Sequence, residues 1–135
     1  MDCHIVLSLC KTLREEVNEK INAKNYGVKV YVNKIFAKHT KLQEQVTQFN
    51  QILMKSEGVE NVINVMLCTP NRLLKLSQLG AINYNTLKYL VLDSNQNIKK
   101  QSLFDVQSLR NEVFQLIHHH FKHIWQSNQL KLYFY

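Results

Sequence analysis

Glycine and proline are scarce in this 135-residue chain, which holds only Gly27, Gly58, Gly80 and Pro70. Isolated glycines supply no flexible linker, so one domain is expected over residues 1–135. They also exclude a phosphate loop of the form GxxxxGK[ST], whose backbone must close around a nucleotide's phosphates. Cysteine is nearly as sparse. Cys3, Cys10 and Cys68 are odd in number and lack paired metal spacing, which argues for a reduced compartment. Long apolar runs are missing as well. The opening MDCHIVLSLC has no basic stretch before its short apolar segment, so neither a signal peptide nor a membrane anchor is expected. Cytoplasm or nucleus remains.

Negative charge is the other shortage. Ten acids face 17 Lys and Arg, giving a net charge of +7 that favours polyanions such as RNA or DNA. A basic surface serves solubility equally well, so the location of the charge must decide. At 45% apolar and 20% charged residues, the composition is that of a folded domain rather than a disordered one.

Residues 4–9 form a short apolar run rich in branched side chains, the pattern of a strand covered on both faces. Thr12 suits a helix N-cap before a stripe of Leu13, Val17 and Ile21, with Glu15 and Glu16 favoured by the helix dipole. A second strand is expected at 28–32. Helical spacing follows over 33–54 through Ile35, Phe36, Leu42, Val46, Phe49 and Leu53, as one helix or two. Residues 62–67 read as a third strand, and Thr69 and Pro70 open a helix containing Leu73, Leu74 and Leu76. Residues 87–93 form a fourth strand ending in an acid, 105–123 an amphipathic helix, and 130–135 a fifth strand. This alternation predicts an α/β fold with a mostly parallel sheet of about five strands and flanking helices.

The sharpest local feature is VMLCTPNRLLKL at 65–76, a buried strand running into a helix with Thr69 at the N-cap and Pro70 at N1. Unpaired N–H groups at a helix start favour anions, and Arg72 and Lys75 add full charges, so the corner could hold a phosphate. Thr-Pro is equally what an ordinary helix start requires. Lys34, Lys38, His39 and Lys41 fall near helical spacing and could form a basic face, or simply a solvated one. His118, His119, His120 and His123 suggest a metal, yet no nearby Cys or carboxylate completes a set, and a surface or groove-lining cluster is expected. Tyr133, Phe134 and Tyr135 could stack on bases, but their alternation favours core packing.

The TPNR corner and the strand LKYLVLD together resemble the DEAD-box family of RNA helicases, where a TPGR segment meets RNA backbone and a later strand ends in the acid box. IVLSLCKTLREEVNEKI loosely matches that family's segment around PTREL, which implies RNA contact for Thr12 and Arg14. The box here is Asp93, Ser94, Asn95 and Gln96, and it lacks the glutamate that positions an attacking water. With no phosphate loop and no second helicase domain, the resemblance implies a pseudo-helicase without catalytic residues and without cofactors.

The chain is more specifically similar to the Cms ribosomal-small-subunit family, whose eukaryotic members look like degenerate DEAD-box first domains. The matching blocks are IFAKHTKLQEQ, CTPNRLLKLSQLGAINYNTLKYLVLD and the closing LKLYFY. Cys68 departs from the family, where a glycine is usual. The resemblance implies a RecA-like fold and a non-enzymatic nucleolar factor of early small-subunit pre-ribosomes. Its implied partners are pre-rRNA or small nucleolar RNA and assembly proteins, with neither a membrane nor a small-molecule substrate. RNA contact is expected from Thr69, Asn71, Arg72, Lys75, Thr12, Arg14 and Lys38. A protein-only interaction scaffold remains the alternative.

Overall fold

Branched and apolar residues dominate the five segments that become strands. In the computed structural model, which describes residues 4–8, 29–36, 40–56 and 62–134, these are β1 (His4–Ser8), β2 (Lys29–Ile35), β3 (Val62–Cys68), β4 (Leu87–Leu92) and β5 (Lys131–Phe134). All pairings are parallel and the strand order is β2-β3-β1-β4-β5. The expected α/β architecture with a parallel sheet and flanking helices is therefore present. Residues 65–68 of β3 are buried without alternation, as expected of a strand with both faces covered.

The helices among the described residues are α1 (Leu42–Ser56), α2 (Pro70–Gln78), α3 (Gln107–Leu116) and α4 (Lys122–Gln126), the last two joined by a π turn at Ile117–Phe121. The start of α1 is fixed by Glu44, whose carboxylate accepts the Lys41 N–H at 3.3 Å, half of a capping box. The end of α2 follows from Gly80, whose φ of 65° lies in the left-handed region that glycine enters without steric cost. There the Ala81 N–H reaches the Leu76 carbonyl and the Gly80 N–H the Ser77 carbonyl, a Schellman closure. Asn128, with φ of 56°, ends α4 in the same way through Gln129 to Ile124. Leu73 and Leu76 of α2, Leu87 and Leu90 of β4, and Leu116 and Phe121 form the centre of the core with Met66.

Three sequence expectations are corrected. Ile35 is not helical but ends β2, because the run KVYVNKI keeps pairing with β3 as far as Cys68. Lys34 and Lys41 consequently share no helix face, one lying in a strand and the other preceding α1. Tyr133 and Phe134 are exposed rather than packed in the core, since β5 is an edge strand paired with β4 alone. The expected helix over 13–24, with Cys3 and Cys10, lies outside the described residues. No described helix is long and apolar enough to cross a membrane.

Candidate nucleic-acid interface

In a parallel sheet every strand delivers its carboxyl end to the same rim, where ligands of α/β folds commonly bind. Here β3 delivers Thr69 and β4 delivers Asp93 to that rim. Thr69 is extended (φ −87°, ψ 150°) and exposed, and Pro70 occupies the first helical turn, as expected. The Thr69 carbonyl accepts the first helical bond from Leu73 N–H at 3.0 Å, while its side chain makes no capping bond. Asn71 and Lys75, four residues apart, lie on one exposed side of α2.

Arg72 turns the other way. It is only 7% exposed, and its Nη2 donates to the Thr40 carbonyl at 2.7 Å. Its Nε is buried and has no acceptor among the described residues. Its charge therefore lies beneath the corner rather than on its surface. Gln45 of α1, buried at 2% exposure, donates from Nε2 to the Phe36 carbonyl at 3.0 Å. Two buried side chains thus hold either end of the 36–40 segment. Lys38 belongs to that segment but, like Thr12 and Arg14, lies outside the described residues.

Asn71 is engaged as well, donating from Nδ2 to Glu112 Oε1 at 2.7 Å and so tying α2 to α3. Sequence reasoning missed both Gln45 and Glu112. Gln45 had a signal, as an amide on the apolar stripe of Leu42, Val46 and Phe49; Glu112 had none, because its partner is 41 residues away. At the neighbouring strand end, Asp93 Oδ1 accepts the Asn95 N–H at 2.9 Å, which turns the loop that follows.

Beneath the corner, burial pushes the Cys68 thiol and the Tyr84 phenol well above their ordinary ranges. Ser77 donates to the Leu73 carbonyl at 2.7 Å, and its one proton is committed there, so the Tyr84 hydroxyl donates to Ser77 Oγ. Of the C-terminal histidines, His118, His119 and His123 are exposed and His120 is half-buried against Tyr84. Among the described residues no group of three His, Cys, Asp or Glu could hold a metal.

The corner and the segment it holds lie in two of the blocks that carry the resemblance to the Cms family. Human Protein CMSS1 is 35% identical over 102 residues, covering 75% of this chain and 33% of that protein. Protein CMSS1 of Xenopus laevis is 27% identical over 116 residues, covering 84% of the chain and 38% of that protein. The chain thus spans about a third of the length of the relatives it matches. A family model described as "CMS1: U3-containing 90S pre-ribosomal complex subunit" matches residues 5–135, so the chain belongs to the CMS1 family.

Proposed function

We propose that this domain is a non-catalytic binding module of the early small-subunit pre-ribosome, acting in the nucleolus on pre-rRNA or small nucleolar RNA and on assembly proteins. The family description supports the pre-ribosomal setting. The strand order, with the TPNR corner and Asp93 at one rim, supports reading the domain as RecA-like, a degenerate DEAD-box first domain whose 135 residues hold no GxxxxGK[ST] loop and no glutamate after Asp93. Asp93 in this reading serves its own loop rather than a metal.

The observation that carries RNA contact is the division of labour at the corner. Thr69, Asn71 and Lys75 are exposed, and Arg72 holds Thr40 beside the exposed Lys41 while Gln45 holds Phe36; Lys38 is added to this surface on the family resemblance alone. Arg72 acts through Thr40. Thr12 and Arg14 are added to the contact on the family resemblance alone. Binding of this kind rests on phosphate neutralisation, is independent of ATP and weakens with salt.

Filter binding of single-stranded RNA across a salt series tests the reading. Lys41→Glu with Lys75→Glu is expected to weaken binding and to shallow the salt slope by about 1.4, at roughly 0.7 per lost phosphate contact. Unchanged affinity and slope would overturn RNA contact here. Crosslinks to protein alone in purified particles would then favour an interaction scaffold.

A further inference from the structure

The C-terminal helical stretch carries a second surface that the corner does not use. Leu116 and Phe121 are both buried although five residues apart. At about 100° per residue an uninterrupted α-helix would set them roughly 140° apart. The π turn, with its i→i+5 closure, restores Phe121 to the core side and displaces His118 and His119 outward. Beside it, Phe114 is 55% exposed and Trp125 46% exposed. With Ile117, His118, Lys122 and Gln126 they line a groove of about 430 Å³.

The groove faces away from α2. Glu112 reaches Asn71 on α2, and Phe114 lies about 200° further round the same helix. Glu112 is also the one acid in residues 107–126, so the groove's described lining holds Lys122 and His118 but no carboxylate. His119 and His123 are exposed beside it. An aromatic and aliphatic floor edged by Lys122, with no carboxylate in its described lining, complements apolar side chains carried by an acidic segment.

We propose that this groove docks an acidic peptide segment of a partner protein. Its apolar side chains bury Phe114, Ile117 and Trp125, and its carboxylates meet Lys122 and the imidazoles. Single-stranded RNA is a poorer fit, because a nucleic-acid track needs successive cations and Lys122 is the single permanent charge in the described lining. The proposal goes beyond the RNA reading of the TPNR corner and stands whether or not that corner binds RNA.

Trp125 is the chain's one tryptophan, so its emission reports on the groove directly. The intact chain is titrated with a synthetic helix-forming peptide of Glu and Asp carrying Leu and Phe on one face. Three further probes are used: the same peptide with Ala at the apolar positions, the same with Lys for the acids, and a short oligouridylate. A saturable blue shift is expected with the first peptide, with affinity about tenfold weaker for either peptide control. Phe114→Ser and Lys122→Glu, checked for native circular dichroism, are each expected to weaken it by about tenfold. Absence of a saturable change overturns the proposal, as does equal binding of the lysine peptide. Tighter binding of oligouridylate overturns it in favour of a nucleic-acid surface, and this result is distinguishable from the corner because Lys41→Glu with Lys75→Glu leaves it unaltered.

Discussion

Arg72 Nη2 and the Thr40 carbonyl, 2.7 Å apart, join the start of α2 to the residue pair that leads into α1. Replacing Arg72 by Met keeps the apolar stem and removes the donor. The expected cost is about 1–3 kcal/mol, with Arg72→Lys regaining part of it because a point charge lacks the planar fork. Urea unfolding monitored by circular dichroism measures this. A midpoint unchanged in Arg72→Met would show that the bond holds nothing.

The bond from Asn71 to Glu112 is the polar tie between α2 and α3, and it is accessible to solvent. A double-mutant cycle with Asn71→Ala and Glu112→Ala is expected to give a coupling of about 0.5–1 kcal/mol, the range of an exposed charge-assisted pair. Coupling indistinguishable from zero would mean that the two helices are joined by apolar packing alone.

Deleting His119 removes one residue from the π turn. Leu116 and Phe121 then become four apart in sequence, which an ordinary α-helix places on one face. The deletion is therefore expected to change stability by less than about 1 kcal/mol. Deleting Asn111 instead rotates the downstream apolar residues by about 100° relative to those upstream and is expected to unfold the domain. Thermal melts compare the two. Equal destabilisation would contradict an insertion at the π turn.

Acid should weaken the fold in two stages. Burial, then the charge of His119, lowers the His120 pKa from its ordinary 6.5. The Ser102 N–H, then the Ser102 hydroxyl, lowers the Asp105 pKa from 3.8. Each group binds fewer protons folded than unfolded, so its contribution is present at neutral pH and is lost as pH falls. Denaturant midpoints are expected to fall below pH 6.5 and again below 3.8. His120→Gln should flatten the first decline and leave the second. A first decline that survives the substitution would assign it to another group.

Much of this architecture was legible because burial on both faces leaves continuous apolar runs. Residues 62–67 and 87–93 read as strands, within one residue of those observed, and Thr69-Pro70 marks where a helix must begin. The end of β2 was hidden, since Lys34 and Ile35 fit helical and extended spacing alike and only pairing with Leu67 and Cys68 decides between them. The π turn was equally hidden, because IHHHF carries no breaker residue. At the candidate site, residue type did not reveal direction. Arg72 looked like a surface cation and is buried, bonding Thr40 and so joining the family block at 68–93 to that at 35–45.

The place of β1 in the sheet has a consequence for how the chain matures. It lies between β3 and β4, pairing from His4 with Ile63 and at Ser8 with both Leu67 and Val91. As the chain leaves the ribosome, Ser8 must wait for the 84 residues that lead to Leu92 before both neighbours exist. Closing such distant pairs is slow and leaves apolar segments open meanwhile. Synthesis order and sheet order disagree here, so the nascent domain is expected to need a chaperone most while β3 is emerging, and to become self-sufficient only once Leu116, Phe121 and β5 have followed Leu92 out of the exit tunnel.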